Sequence, residues 1–316
     1  MSSPPEQPTA SPIPIPPPKS QEPSSSTSPD PSTKSLPHNF PTPLYRLEIT
    51  DLDHPGIHLF LHTTSAPSIL WNSTSRVLSH LYSPSLPVPP QPVRSITLIL
   101  KPEPGVAYTT SLDYDDAHKR ITFSTDYIAS VARNSNNDET RVREEIAGVL
   151  VHEMVHCLQH AAQGTCPGGL IEGIADWVRL KAGLAPPHWE KHARGGWDAG
   201  YQTTGYFLDW LEGRYGVGTV RKVNEELGRG RYDEEKFWKG LFGRGVRDLW
   251  AEYGREVDGG EGQNEEGKER DGEVEGKSDD ETVVVRREDV EDGSGVAGKS
   301  SMIVDMSSSN IAGDKA

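Results

Sequence analysis

Between Gly148 and Gly164 the chain carries neither glycine nor proline, and Ile146, Val149, Leu150, Met154, Cys157 and Leu158 recur at helical spacing. That run predicts a long helix from Thr140 onward with one broad apolar face. Embedded in it is Val151-His152-Glu153-Met154-Val155-His156-Cys157. Residues four apart on a helix lie one turn above each other, so the two imidazoles can converge on one point with Glu153 standing beside them. The stretch from Gly164 to Gly169 interrupts the pattern, and Leu170 to Lys181 resumes it through Ile171, Ile174, Ala175, Val178 and Leu180. Glu172 and Asp176 are one turn apart on that second helix.

Upstream the period shortens. Tyr45 to Ile49, Ser95 to Leu100 and Arg120 to Ser124 alternate apolar and polar residues as strands do, and Val106 to Leu112 reads as another strand. The turn Asp115-Asp116-Ala117-His118 would join the last two into a hairpin, Ala66 to His80 reads as a helix, and Pro84 to Pro92 reads as a loop. Downstream, helices are expected over Asp198 to Tyr215, Gly218 to Leu227, Tyr232 to Phe242 and Val246 to Glu256. Strands first and helices after predict an α+β fold.

Composition decides how much of the 316 residues can fold. The net charge of −15 is concentrated after residue 255, where 18 Asp and Glu face seven Lys and Arg. Residues 1–43 are dominated by Pro and Ser, and residues 258–316 by Gly, Glu, Asp and Ser. Neither composition offers the apolar surface that offsets ordering entropy, so both arms are expected to be disordered around one nearly neutral domain over 44–257. The acidic tail is read as solubilising rather than as a dock for basic partners. No uninterrupted apolar stretch suits an export signal or a membrane span. The two cysteines, Cys157 and Cys166, are too few for a disulfide framework. A cytoplasmic protein is therefore expected, although unconventional export would leave no mark in the sequence.

The two central helices point to zinc. A zinc hydrolase typically holds its ion with three protein ligands and leaves a fourth position for a water whose pKa falls to about 7. His152 and His156 supply two of the three. His160 continues the rhythm but lies roughly 12 Å from His152 along the axis, too far to share an ion with both. A third histidine six residues after the second, following a glycine bend, is excluded because those positions hold Gln159 and Ala162. Glu172 remains, carried back by the break in the helix, and Asp176 is placed to accept the free ring N–H of a ligand histidine. Glu153 is the candidate general base. Tyr201 is the candidate donor to a tetrahedral oxyanion, with a buried structural tyrosine as the competing reading.

The plain alternative is a helix whose Glu153 and histidines face solvent, with Glu172 an incidental surface acid. Val151, Met154, Val155 and Cys157 argue against it, since they would be exposed as well. Cys157 and Cys166 flank the break and are read as free thiols rather than a bridge. His188, His192 and Trp197 either line a cleft or lie at the surface, with exposure the favoured reading. Phe207, Trp210, Phe237, Trp238 and Trp250 recur at helical spacing and are assigned to core packing.

The block from Val151 to Gln159, followed by Gly168-Gly169-Leu170-Ile171-Glu172-Gly173-Ile174-Ala175-Asp176-Trp177, closely resembles the basic secretory protein family of zinc peptidases of plants, fungi and bacteria. Trp197 to Tyr201, Thr204 to Trp210, Phe237 to Gly240 and Val246 to Tyr253 extend the likeness, which spans roughly residues 44–257. The resemblance implies a gluzincin-like, zincin-like fold, with a mixed sheet whose edge strand borders the cleft. It implies His152, His156 and Glu172 as ligands of Zn2+ and Glu153 as catalyst. It also implies a peptide or protein substrate. No nucleic-acid or membrane partner is expected, and oligomeric state is left open. A non-catalytic zinc-binding or interaction module on the same fold is the alternative. The acidic chain and the missing export signal depart from the family's secreted character without touching the site.

Overall fold

The computed structural model describes residues 36–37, 40–83, 88–258 and 300–301. Apart from a few positions, the two arms expected to be disordered lie outside these residues. Among the described residues the order is β1 (Leu44–Ile49), α1 (Pro55–Thr63), α2 (Ala66–Leu81), β2 (Ser95–Lys101), β3 (Ala107–Leu112), β4 (Asp115–Ser124), α3 (Thr125–Asn134), α4 (Glu139–Leu158), α5 (Gly168–Lys181), α6 (Tyr201–Tyr215), α7 (Thr219–Arg229), α8 (Glu234–Phe242), α9 (Val246–Asp258) and the two-residue β5 (Ser300–Ser301). The architecture is α+β, a mixed sheet followed by a mainly helical half.

Strands run in the order β1-β2-β4-β3-β5, with β1, β2 and β4 parallel and β3 antiparallel to β4. Ser300 and Ser301 pair antiparallel with Thr109 and Tyr108. Strand β2 has every residue from Ser95 to Leu100 buried, as a central parallel strand covered on both faces must. Its alternation of polar and apolar residues therefore does not mark an exposed face. The hairpin between β3 and β4 turns at Asp113 and Tyr114, not at Asp115 to His118. Asp115 already opposes Leu112 and His118 opposes Ser95 of β2, so these polar residues belong to the half-solvated start of β4.

Two helices beyond those expected fill in the first half. α1 starts on Pro55, with His54 Nδ1 accepting the Gly56 N–H at 3.1 Å, a cap outside the usual Ser, Thr, Asp and Asn set. α3 follows β4 without a loop residue, Ser124 closing the strand and capping the helix through the Tyr127 N–H at 3.2 Å. Leu36 and Phe40 also lie in the core. No helix among the described residues is long and apolar enough to cross a membrane.

α5 and α6 pack closely because small residues face each other. A Cβ added at Gly173 would come within 2.3 Å of the Thr204 methyl, and Thr204 is buried with its hydroxyl donating to the Trp197 carbonyl at 2.8 Å. Helix propensity alone favours Gly→Ala by about 1 kcal/mol. At Gly173 the collision outweighs it, because the neighbour is β-branched and cannot swing aside. Gly173→Ala should lower the unfolding free energy by about 1–2 kcal/mol, measured by denaturant titration. Gly213→Ala on the open face of α6, where nothing lies within 4 Å, should leave it unchanged or raise it by up to about 1 kcal/mol. Equal effects at the two positions would refute the packing account.

Candidate active site

The first turns of α4 expose Glu139, Arg143 and Glu144, whereas its later turns run through the interior, with Val151, His152, Glu153, Met154 and Val155 all buried. It starts on Asp138, whose carboxylate accepts the Thr140 N–H at 2.9 Å, and it ends at Leu158. A short 3-10 turn over Ala162–Gly164 then reverses the chain, with positive φ at Ala162, Gln163 and Gly164. Pro167 precedes α5, which returns against α4 with Glu172 and Asp176 facing it. The break read in the sequence is thus the reversal that brings a carboxylate to the imidazoles.

The three atoms meet. His152 Nε2 lies 3.1 Å from His156 Nε2 and 3.1 Å from Glu172 Oε2, and His156 Nε2 lies 3.5 Å from the same oxygen. They form the group of His, Cys, Asp and Glu side chains found among the described residues with the spacing of a metal site. Asp176, fully buried, stands behind His152 with Oδ1 at 2.7 Å from Nδ1. A carboxylate can only accept there, so Nδ1 carries hydrogen and Nε2 is the nitrogen left facing the common point, where a cation would displace its proton. Burial works to lower the His152 pKa, but the Asp176 and Glu172 carboxylates outweigh it and push the pKa up to about 10. Burial likewise favours neutral Glu172, and the His156 and His152 rings reverse this, driving its carboxyl far below the usual range.

Glu153 does not join the triangle. Its Oε2 accepts the Thr109 hydroxyl of β3 at 2.7 Å, and burial raises its carboxyl pKa against the lowering pull of His156, His152 and Thr109. Tyr201 opens α6 right after Gly200, with its ring stacked on His152 at 6.4 Å and 12°. Burial, then the Glu172, Asp176 and Glu153 charges, raise its phenol pKa, so it stays an O–H donor at neutral pH. Its φ of +46° is rare for a bulky side chain, a local cost of the kind that gathers at functional sites.

Two neighbours were not anticipated from the sequence. Gln159 Nε2 lies 2.7 Å from His156 Nδ1. With its amide turned half a rotation, the oxygen would accept from Nδ1–H and free the Nε2 lone pair for a cation. Its signal was available, since Gln159 is one turn beyond His156. Thr109 had none, because it reaches the site only through the sheet. His160 stays away, as expected, with its amide bonded to Asn224 Oδ1 at 3.0 Å and its ring edge-on to Tyr82. Cys157 and Cys166 are free thiols, and burial pushes Cys157 up to about 12. His188 is exposed, whereas Trp197, expected at the surface, is buried edge-on to Trp238, where its carbonyl anchors Thr204. Phe207, Phe237 and Trp238 are buried in the core, with Trp210 and Trp250 packed against it. A separate cavity lined by Lys191, Tyr206, Trp210, Arg214 and Glu256 shares no residue with the His and Glu cluster.

Comparison with curated proteins and with solved structures found no match. The family described as peptidases of plants and bacteria matches residues 42–253, which include all of His152, Glu153, His156, Glu172, Asp176 and Tyr201. On a match over that much of its length, the chain belongs to this basic secretory protein family of peptidases.

Proposed function

We propose that the chain is a zinc-dependent metallopeptidase, with His152, His156 and Glu172 as ligands, Asp176 behind His152, Glu153 as general base and Tyr201 as donor to the oxyanion. The triangle of ligand atoms carries this reading. Three ligands bound to zinc near 2.0–2.2 Å in a tetrahedral array stand about 3.3 Å apart. The edges here are 3.1, 3.1 and 3.5 Å. Two imidazoles and a carboxylate are also the donor set that zinc hydrolases use, and the ligand histidines carry the outer partners such rings need.

When bound, zinc supplies a Lewis acid and a water acidified to a pKa of about 7. The chain's residues supply the rest. Glu153 keeps Oε2 on Thr109 and has Oε1 to accept a proton from the attacking water and return it to the leaving amine nitrogen. Its burial brings the carboxyl closer to the working pH, which suits a group that must both take and give a proton. Tyr201, held neutral, donates its O–H to the oxygen that gains charge as the carbonyl is attacked. Peptides and proteins are the substrate class that the family supports.

Metal analysis of the purified chain should find about one zinc per molecule. Chelation should abolish cleavage of casein or of a peptide library, and zinc should restore it. Cleavage that survives complete zinc removal would refute the metal. A zinc-loaded protein inert toward every peptide offered would favour the non-catalytic binding module.

A further inference from the structure

We propose that Thr109 is a positioning residue for the peptidase reaction. Its hydroxyl clamps one oxygen of Glu153 to the sheet, so that the other is aimed at the attacking water. The inference rests on the function proposed above and deepens it.

Thr109 lies in β3, one of the two outer members of the four long strands, where its backbone is fixed opposite Ile121 of β4. Strand geometry sends alternate side chains to one face, and that face of β3 looks onto α4. The Thr109 hydroxyl meets two oxygens of one residue, Glu153 Oε2 at 2.7 Å and the Glu153 main-chain carbonyl at 3.1 Å, and it also neighbours the buried Cys157 thiol. One hydroxyl has one hydrogen to give, and the shorter, charge-assisted contact takes it. No other hydrogen bond reaches the Glu153 carboxylate from the described residues. The carboxylate is buried and flanked by two histidines and Glu172, so its orientation would otherwise be set by the charges around it.

Threonine suits this task better than serine would. Its branched Cβ restricts χ1, so the hydroxyl is held by the strand rather than by its acceptor. With Oε2 committed, the acidic oxygen left for proton transfer is fixed in place. The bland reading is that Thr109 only glues β3 to α4, which would cost stability and not the chemical step.

The test uses the full chain and three variants. Thr109→Val keeps the shape and removes the hydrogen bond. It should lower kcat about 10–100-fold, the usual loss when an outer partner is removed. KM, zinc content and thermal midpoint should stay near those of the parent. Thr109→Ser should recover most of kcat. In the Glu153→Gln background, Thr109→Val should cost little further, because the two act as a unit. A crystal structure of Thr109→Val should show the Glu153 carboxylate turned away while the three ligand atoms keep their separations. Unchanged kcat in Thr109→Val would overturn the proposal, as would an equal loss with and without Glu153. Loss of stability in parallel with activity in both Val and Ser would assign Thr109 to packing alone. The metallopeptidase reading fails on different data, cleavage without zinc.

Discussion

Glu153→Gln should keep its zinc and fold but lose hydrolysis by roughly 10²–10⁴-fold, the range that a positioned acid–base group contributes. The substitution is nearly isosteric, and the amide can still accept the Thr109 hydroxyl through its oxygen. It cannot take a proton at neutral pH. The triangle of His152, His156 and Glu172 does not include Glu153, so metal stoichiometry should match the parent, while the loss should fall on kcat rather than KM. Steady-state kinetics on a peptide, with zinc measured on the same preparation, check both halves. Near-parental turnover would remove Glu153 from the chemistry. Loss of zinc along with activity would instead mean that the residue shapes the binding site.

What could be read in the sequence follows from distance along the chain. His152, His156 and Glu172, with Asp176 behind them, come from two helices joined by a visible break, so helical period and a glycine-rich interruption were enough to bring them together. Tyr201 was named without a geometric argument: the helix was expected to begin at Asp198, so neither its place in the first turn of α6 nor the left-handed backbone that seats it was legible. Thr109 was out of reach. Its approach depends on the register of β3 against β4, and the hairpin turn was misplaced by two residues because Asp115 and Asp116 look like turn residues while belonging to an exposed strand end. α1 and α3 escaped for a related reason. One is capped by a histidine, the other is entered straight from a strand, and neither boundary carries the expected punctuation. Trp197 was assigned to the cleft or surface from its loop position, and only tertiary packing reveals it as core.

A buried ion pair joins the two helices that carry the candidate site. Glu145 of α4 and Arg179 of α5 are both buried and paired at 2.9 Å, and Tyr127 donates to the same carboxylate oxygen at 2.9 Å while Arg141 holds the other at 2.6 Å. α4 admits the guanidinium only because Gly148 has no side chain: a Cβ there would stand 2.6 Å from Arg179 Nε. Glu145→Gln would leave Arg179 charged and buried beside a neutral amide, and breaking such a pair costs about 3–5 kcal/mol. That is a large share of the roughly 5–15 kcal/mol typical of a domain. Replacing both partners by Leu and Met should cost much less, since no charge is then stranded. The pH dependence has a definite sign. Burial alone would raise the Glu145 pKa, but Arg179, with Tyr127 and Arg141, holds it below its ordinary value. Its contribution is therefore present above the unfolded carboxyl pKa and fades as pH falls through the lower folded value. Denaturant titrations across the acid range should show that slope in the parent and less of it in Glu145→Gln. A single substitution as harmless as the double one would mean that Arg179 reaches water and that the two site helices are held together by their apolar contacts alone.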